Sequence, residues 1–457
     1  MFETDTIAAI STPLGEGGMG IVRLSGQRAI EIAEKIFLSP KEKKLSQAKS
    51  HSIHYGRIMD GETGMPIDEV LVSVMRAPNT YTREDTVEIN CHGGALPLRR
   101  VLDLVLRCGA RLAMPGEFTQ RAFMNGRIDL VQAEAVIDLI RAKTDESKRI
   151  ALDQLSGGLS RKIISIRDSL MEICAYVEAY IDFPEEEIEL ATETQMLGGM
   201  KSLRDELGRL GKTYEEGRFF RDGLSVAIVG KPNVGKSSLL NALLERERAI
   251  VTDVPGTTRD TIEEHLNIEG LPVRITDTAG IRESHVLPEQ EGVSRSLKAI
   301  EGADLVIAVF DGSKEATTED HEVIDRVRAK NTIYVLNKSD VPLLFDRGAV
   351  PDGPVVSLSA RNREGVPALK EGILHRALKG RCEPKEGILI TNIRHKVLIE
   401  KSRDALGRAM EEMENHRPLE IIALNLREAL DRLGEVVGAV TTEDILNKIF
   451  GDFCIWK

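Results

Sequence analysis

The residues whose types and spacing indicate a chemical role most clearly form a glycine-rich loop, Gly-Lys-Pro-Asn-Val-Gly-Lys-Ser, at positions 230–237. The loop matches the phosphate-binding pattern G-x-x-x-x-G-K-[ST]. In this pattern, glycines turn backbone amides toward phosphate oxygens, Lys236 neutralises the outer phosphates and Ser237 ligates Mg²⁺. An apolar strand-like run, 224–229, precedes the loop, and a helix-like run, 238–244, follows it. This setting argues against a chance glycine loop and predicts a nucleoside-triphosphate site.

A second segment, Asp277-Thr-Ala-Gly280, ends a strand-like run at 273–276. A carboxylate at the end of such a strand can hold Mg²⁺ directly or through water, and Gly280 can approach the terminal phosphate. The segment therefore predicts the metal-facing side of the same nucleotide site.

Two further segments indicate which base is bound. Asn337-Lys-Ser-Asp340 follows the apolar run 332–336, and Ser359-Ala-Arg361 follows the run 355–358. The carboxylate of Asp340 can accept hydrogen bonds from guanine N1 and from its exocyclic amine, a pair of donors that adenine lacks. The backbone of the second segment can contact the base carbonyl. Asn-Lys-Ser-Asp alone would be a polar turn, but in order with the other segments it predicts a guanine-nucleotide-binding domain.

The segment 251–260 has the composition of a switch that closes over the γ-phosphate, with Thr258 as the second Mg²⁺ ligand. Ile281, which follows the Asp-Thr-Ala-Gly turn, cannot orient the attacking water as a glutamine would. Asn233 predicts a monovalent cation, held by its amide oxygen and by switch carbonyls, that supplies positive charge at the transition state. Arg259, Arg282 or a partner's arginine are alternatives, and Asn233 could also serve only to shape the loop.

The residues predicted to contact GTP come from the phosphate-binding loop, the switch and the three base- and metal-facing segments. They are Asn233, Val234, Gly235, Lys236, Ser237, Ser238, Thr252, Asp253, Val254, Pro255, Gly256, Thr257, Thr258, Asp277, Thr278, Ala279, Gly280, Asn337, Lys338, Asp340, Ser359, Ala360 and Arg361.

Length and composition limit the remaining classes of function. The 457 residues suffice for about three domains, and the net charge of −12 argues against a broad basic face that grips nucleic acid. The sequence has neither an uninterrupted apolar run of membrane-spanning length nor a signal-peptide pattern, so the expected location is cytoplasmic. The five cysteines show no zinc-ligand spacing, so reduced thiols are expected.

The pattern along the chain predicts an α/β protein of several domains. Residues 1–120 alternate short β-like runs with turns and a helix, which indicates an α+β domain. Gly15, Gly17 and Gly20 satisfy G-x-G-x-x-G, but a strand-like run follows them where a dinucleotide fingerprint requires a helix.

Two long helical stripes flank the predicted GTPase domain, 221–378, which should contain a doubly wound sheet. One lies in 121–220 and the other in 379–457, and both step by three and four residues. Their apolar positions are Leu159, Ile163, Ile166, Leu170, Ile173, Val177 and Ile181, then Leu419, Ile422, Leu426, Leu430, Leu433, Val437 and Val440. Neither stripe can be buried alone, so we expect one discontinuous helical domain with the GTPase inserted in it.

Separate short segments along the whole chain resemble the MnmE (TrmE) family of tRNA-modification GTPases. The segments are Asp5-Thr-Ile7, Gly17-Gly-Met-Gly20, Arg23, Ser25-Gly26, His92-Gly-Gly94, Pro115-Gly-Glu-Phe118, Gln132-Ala-Glu-Ala135, Ile181-Asp-Phe-Pro184, Gly256-Thr-Thr-Arg-Asp260 and Phe453-Cys-Ile455. The resemblance implies an N-terminal tetrahydrofolate-binding domain that also dimerises, a helical domain and a GTPase activated by potassium.

The resemblance also implies roles for individual residues. The 5-formyl- or methylene-tetrahydrofolate would contact Arg23, Glu88, Arg127 and Lys457. Potassium would be held by Asn233 and the carbonyls of Thr252, Val254 and Thr257, and magnesium by Ser237 and Thr258. Glu289 would orient the attacking water through an intermediary, although the run 286–290 departs from the family's more acidic pattern. Cys454 matches a terminal cysteine with a proposed chemical role, and Trp456 stands where glycine is typical.

In this family the partner is MnmG, which binds FAD and uses NADH. Together the two proteins install an aminomethyl or carboxymethylaminomethyl group on C5 of the wobble uridine of certain tRNAs, and the expected assembly is a homodimer within that heterocomplex. The alternative is a ribosome-assembly GTPase that acts only by binding. Against it, the GTPase segment is not followed by a basic domain with a G-x-x-G RNA-binding loop.

Overall fold

The computed structural model describes residues 5–183, 192–244, 263–277, 298–379, 387–451 and 453. Its contacts divide the chain into two compact units. The first comprises Met1–Ile137 and Gly434–Lys457, and the second comprises Asp138–Leu433.

The strands form two sheets, one in each unit. In chain order they are β1 Ile7–Ile10, β2 Gly17–Ser25, β3 Phe37–Leu38, β4 Ser52–Met59, β5 Pro66–Met75, β6 Thr86–Gly93, β7 Arg111–Leu112, β8 Leu224–Val229, β9 Glu263–Ile268, β10 Leu271–Asp277, β11 Leu305–Asp311, β12 Thr332–Asn337 and β13 Val355–Leu358.

The helices range from single short segments to long amphipathic rods. In chain order they are α1 Ala29–Ile36, α2 Ala95–Arg107, α3 Glu117–Met124, α4 Leu130–Arg141, α5 Asp145–Leu155, α6 Gly158–Asp182, α7 Glu193–Lys212, α8 Tyr214–Asp222, α9 Lys236–Leu244, α10 Thr318–Val327, α11 Val366–Ala377, α12 Ile393–Glu414, α13 Leu419–Val437 and α14 Glu443–Gly451.

The first unit is built on a sheet of order β3-β4-β5-β6-β2-β1-β7, antiparallel except where β1 meets β7. From Val70 to the end of β5 every second residue is buried, with Val70, Val72 and Val74 in the core, as expected for a sheet with one covered face. Helices α1 and α2 supply the other side of this core. The predicted α+β domain is confirmed. The strand expected after Gly20, where a dinucleotide fingerprint would require a helix, is also confirmed, since β2 runs from Gly17 to Ser25.

A buried ionic network fixes α3 beneath the sheet. Arg121, 3% exposed, donates from Nη2 to Asp5 Oδ1 at 2.5 Å and to Glu117 Oε1 at 2.9 Å, and from Nη1 to Glu84 at 3.2 Å. Burial alone would raise the pKa of the Glu117 carboxyl, but hydrogen bonds from Arg111, Met114 N–H and Arg121 hold it below its usual value. The carboxylates are therefore ionised, and they are neutralised by the buried Arg121 together with the partly exposed Arg111, which pairs with Asp5 at 2.7 Å and with Glu117 at 2.6 Å.

The second unit holds a sheet of order β13-β12-β11-β8-β10-β9, in which only β9 and β10 pair antiparallel. Strand β8 lies between β10 and β11, so the chain crosses to opposite sides of β8. Ligands bind beyond the carboxyl ends of the strands at such a switch point, and the glycine-rich loop leaves β8 at this place. The predicted strands at 224–229 and 355–358 agree residue for residue with the structure, and the doubly wound GTPase fold is confirmed.

The two helical flanks pack together, as expected because neither apolar stripe can be buried alone. Gln154 on α5 donates from Nε2 to the Leu389 carbonyl, which precedes α12, at 3.0 Å, and Arg427 on α13 pairs with Glu178 on α6 at 2.7 Å. Most stripe residues are buried. Two outer positions are less buried. Ile181 is half-buried at the end of α6, and Val440 lies beyond the end of α13 and is exposed.

The helical flanks and the parallel sheet share one apolar core. Ile150 of α5, Phe219 and Phe220 of α8, and Leu389 belong to the same buried cluster as the residues of β8 and β10. Arg218 adds an ion pair to Asp304 at 2.7 Å, before β11. The inserted GTPase fold is therefore joined to the helical segments by packing as well as by the chain.

None of the helices among the described residues combines the length and the apolar character that crossing a bilayer requires.

We expect Arg121→Met to lower the stability of the first unit by about 3–5 kcal/mol, because it leaves the Glu117 and Asp5 carboxylates without their buried cation. Arg107→Met is the matched control, since Arg107 is half exposed and pairs with exposed Glu62, and it should cost no more than about 1 kcal/mol. Urea titration followed by hydrogen exchange of peptides from 5–137 measures both. Equal shifts for the two variants would contradict the assigned role of Arg121.

Candidate nucleotide site

The glycine-rich loop turns sharply between β8 and α9. Gly230 and Gly235 have φ of 151° and 96°, and Asn233 has φ of 64°. A Cβ on Gly230 would lie 2.3 Å from the Val309 carbonyl oxygen, so only glycine lets the loop begin this close to β11. The loop thus ends with its backbone wrapped around the N-terminus of α9, the position at which phosphates bind.

The side chains that could meet phosphates and metal lie where the motif predicts. Lys236 donates from Nζ to the carbonyl oxygens of Gly230 at 2.8 Å and Lys231 at 2.9 Å. Ser237 and Ser238, in the first turn of α9, are exposed, as is Asn233. Lys236 therefore spans the loop from its far end, and the two hydroxyls are open to a ligand.

Asn337, at the carboxyl end of β12, ties two loops of the site together. It is 3% exposed, its Nδ2 donates to the Val234 carbonyl at 2.8 Å, and its Oδ1 accepts from the Ala360 N–H at 3.0 Å. A Cβ on Gly235 would lie 2.2 Å from Asn337 Nδ2. The phosphate-binding loop and the predicted base-binding loop are thus held at a fixed separation by one amide.

Asp340 is exposed and faces the loop after β13. The pKa of its carboxyl is lowered, first by a hydrogen bond from the buried Ser359 hydroxyl. The carboxylate is therefore ionised at neutral pH and open to two donors on a base. Arg361, also predicted from the sequence, is exposed beside this loop.

Lys338 forms the other side of the base-binding segment. Its backbone has φ of 68°, and its Nζ pairs with Asp311 Oδ2 at 2.7 Å, at the end of β11. Burial would raise the pKa of the Asp311 carboxyl, but hydrogen bonds from Lys338 and Ser313 hold it below the usual value. The pair stabilises the ends of two adjacent parallel strands under the site.

An ion pair that the sequence interpretation did not include lies beneath the loop. Lys231 Nζ is 2.6 Å from Asp320 Oδ2 and 2.9 Å from Thr317 Oγ1, at the N-terminus of α10. The Thr-x-x-Asp capping box at 317–320 is readable from the sequence. Nothing local indicates that Lys231, 89 positions away, is its partner.

Several predicted residues lie outside the described part of the chain, so their arrangement stays a prediction. Asp277 is described only in its backbone, as the last residue of β10 in register with Ile228 of β8. The others are Thr252, Asp253, Val254, Pro255, Gly256, Thr257, Thr258, Thr278, Ala279, Gly280, Glu289, Cys454 and Lys457.

The predicted folate residues that are described meet on one side of the first unit. Arg23 of β2 and Glu88 of β6 are register partners and form an ion pair at 2.7 Å. Arg127 lies over the ring of Tyr81 at 4.8 Å, and Arg23 lies 5.7 Å from the ring of Phe118. Burial raises the pKa of the Tyr81 hydroxyl.

Both arginines are within electrostatic range of this one tyrosine. The sequence interpretation missed Tyr81 as part of the group, since a lone aromatic before a turn carries no signal of its own. Phe118 was noted only as part of the Pro115-Gly-Glu-Phe118 segment.

Two of the described thiols, Cys91 and Cys174, are not activated. Burial raises the pKa of Cys91 to about 12, with the Asp68 charge adding to it, and burial with a hydrogen bond to Glu178 raises that of Cys174 to about 12. Neither is a thiolate at neutral pH. The chemistry predicted for Cys454 thus has no substitute at Cys91 or Cys174.

Comparison with known proteins gives two family matches that together span most of the chain. Residues 6–127 match the family described as "GTP-binding protein TrmE N-terminus", and residues 130–454 match the "MnmE helical domain". The second match extends across the inserted sheet.

Curated relatives align along their whole length. The tRNA modification GTPase MnmE of Alkaliphilus oremlandii (strain OhILAs) is 46% identical over 461 residues, covering 100% of both chains. That of Thermoanaerobacter pseudethanolicus (strain ATCC 33223 / 39E) is 48% identical over 457 residues, covering 99% of both.

We expect Gly235→Ala to weaken GDP binding at least about tenfold. A non-glycine residue at this φ, with a Cβ against the Asn337 amide, costs on the order of 1.4–3 kcal/mol, because either the amide or the loop has to move. Gly198→Ala in α7 is the control, because a Cβ there meets nothing within 4 Å. Fluorescent-nucleotide titration at a temperature where both variants are folded gives the affinities. Unchanged binding by Gly235→Ala would refute the packing argument.

Proposed function

Because the chain belongs to the MnmE family of tRNA modification GTPases, we propose that it is a potassium-activated GTPase that modifies the wobble uridine of certain tRNAs together with an FAD-dependent partner, MnmG. The observation that carries the proposal is the identity of 46–48% to curated members from end to end. It favours this role over that of a ribosome-assembly GTPase acting only by binding.

The geometry of the second unit supports guanine-nucleotide binding. The glycine cradle at 230–235 would receive the phosphates, and Lys236 would exchange its two carbonyl partners for phosphate oxygens. The ionised Asp340 would accept from guanine N1 and its exocyclic amine. Ala360 N–H, now bonded to Asn337, would have to be shared with the base carbonyl.

The exposed residues of the loop are compatible with the proposed metal ions. Ser237 would ligate Mg²⁺ with Thr258, and Asn233 would hold K⁺ with the carbonyls of Thr252, Val254 and Thr257. The left-handed backbone at Asn233 leaves its side chain exposed at the phosphate edge of the loop. A bound monovalent cation would supply the positive charge that an arginine supplies in other GTPases.

The group of side chains in the first unit fits the chemistry of a folate. A pterin has N–H groups that can donate hydrogen bonds to Glu88 and an aromatic ring that can stack near Tyr81. The carboxylates of the glutamate tail can pair with cations such as Arg23 and Arg127. The 5-formyl- or methylene-tetrahydrofolate would supply the one-carbon unit. We assign Lys457 to the same site.

We further propose that the protein works in the cytoplasm as a homodimer, joined by its first unit, that binds tRNA in a complex with MnmG. The product would carry an aminomethyl or carboxymethylaminomethyl group on C5 of uridine 34. Cys454 would act in that chemistry, and Glu289 would orient the water that attacks GTP.

Replacing Na⁺ with K⁺ should raise GTP turnover severalfold, because a cation of fitting size would compensate developing negative charge. Asn233→Ala should abolish this dependence while leaving GDP binding largely intact. Phosphate release measured in both salts at constant ionic strength decides the matter. Equal turnover of the unmodified protein in Na⁺ and K⁺ would remove the cation from the mechanism.

The modification itself is tested by mass spectrometry of tRNA nucleosides from cells that lack this protein. Complementation with the intact chain should restore the wobble-uridine product, and Cys454→Ser should not. Cys91→Ser is the matched control, since that thiol is buried with a raised pKa and should be dispensable for chemistry. Restoration by Cys454→Ser would make Cys454 structural. Failure of the intact chain, with MnmG present, would overturn the function.

A further inference from the structure

The structure points to a positioning residue outside the nucleotide-binding motifs. We propose that Asp320, at the start of α10, pre-organises the phosphate-binding loop for GTP by holding the side chain of Lys231. Asp320 does not itself reach the ligand. It acts through the second residue of the loop.

The contact is short and enclosed. Lys231 Nζ lies 2.6 Å from Asp320 Oδ2 and 2.9 Å from Thr317 Oγ1, and the exposed fractions of the Lys231 and Asp320 side chains are 15% and 2%. The other carboxylate oxygen, Oδ1, is buried with no hydrogen-bond partner among the described residues. Loss of Lys231 would therefore leave the buried Asp320 carboxylate without the cation that pairs with it.

Helix capping alone does not explain this arrangement. Asp320 Oδ2 already accepts from the Thr317 N–H at 2.9 Å and the Thr317 hydroxyl at 2.8 Å, which completes the capping box. Burying the Lys231 ammonium group beside this carboxylate has a desolvation cost, and capping of the helix does not require that group. What Lys231 adds is a tie between the helix and the loop.

The helix is a firm anchor because it is packed into the sheet. Ile324 and Val327 of α10 lie in one buried cluster with Ala308 and Phe310 of β11. Burial would raise the pKa of the Asp320 carboxyl, but the hydrogen bond from Lys231 and those from Thr317 hold it below the usual value. The carboxylate that holds Lys231 is thus ionised at neutral pH, and its position is fixed by the packing of the helix.

The tie acts on the part of the loop that receives phosphate. The carbonyl of Lys231 is one of the two that accept from Lys236, and Asn233, with its left-handed backbone, is two residues further on. Asn337 fixes the far side of the loop at Val234. The Asp320 tie fixes the near side, so the nucleotide meets a loop already curved, and binding does not have to supply the free energy of ordering it.

The test is a double-mutant cycle on nucleotide affinity in the full chain. Lys231→Met and Asp320→Asn should each weaken GDP binding about tenfold, as for a loop that is competent a tenth of the time. The double variant should be no weaker than the weaker single, because each change breaks the same tie. Lys231→Arg should restore affinity to within about threefold, since it keeps the charge.

A second readout separates positioning from a general loss of structure. The KM for GTP should rise about tenfold while kcat at saturating GTP falls less than about twofold, because bound phosphates re-impose the loop geometry. Asp346→Asn is the control, since Asp346 is an exposed cap that accepts from Gly348 N–H. It should change neither constant.

Three results would overturn the proposal. They are unchanged GDP affinity in Lys231→Met, additive losses in the double variant, and an equal loss in Asp346→Asn. If the single variants fail to fold, the double variant removes both charges together, and GDP affinity in it equal to that of the unmodified chain would also refute the tie. All of these measurements use GDP and GTP alone, so they are independent of the proposed K⁺ and tRNA chemistry.

Discussion

The nucleotide site depends on the side-chain amide of Asn337. One group, buried at the carboxyl end of β12, donates to the glycine-rich loop at Val234 and accepts from the predicted base-binding loop at Ala360. Because the N–H donor and the oxygen acceptor of this amide are both hydrogen-bonded and the amide is inaccessible to water, neither loop can shift without leaving a buried polar group unsatisfied. Position 235 requires glycine because a Cβ there would lie against the Asn337 amide nitrogen. The base and phosphate ends of a nucleotide therefore meet a rigid frame.

The inserted position of the GTPase fold gains physical meaning from the shared core. The aromatic residues Phe219 and Phe220 of α8 are buried with β8 and β10, and Ile150 reaches the same cluster from α5. The hairpin of β9 and β10 touches the helical flank again, where His265 is 2.7 Å from Lys143 Nζ. A change at the carboxyl end of β10 would thus act on packed elements, which transmit displacement better than a flexible linker does.

The first unit uses its charges in two different ways. Arg121 and Glu117 are buried and pair with each other, and Arg121 also pairs with the partly exposed Asp5, so these charges stabilise the fold. Arg23 and Arg127 lie beside aromatic rings instead, Arg127 exposed and Arg23 with a side chain 20% exposed and paired with Glu88. The buried Arg121 and the exposed Arg127 therefore differ in surroundings and not in residue type.

The sequence by itself indicated several strands, such as 224–229 and 355–358, the glycine loop and the segments predicted to bind guanine, because each rests on residues within a few positions of one another. The helical insertion was also predictable, since two long stripes without partners must cover each other. The tertiary structure alone decided the pairs that join distant segments, such as Lys231 with Asp320 and Arg127 with Tyr81. Short-range patterns fix backbone conformation and which faces are apolar, whereas a side-chain contact across 46 to 89 positions depends on how separate elements pack, which no local pattern encodes.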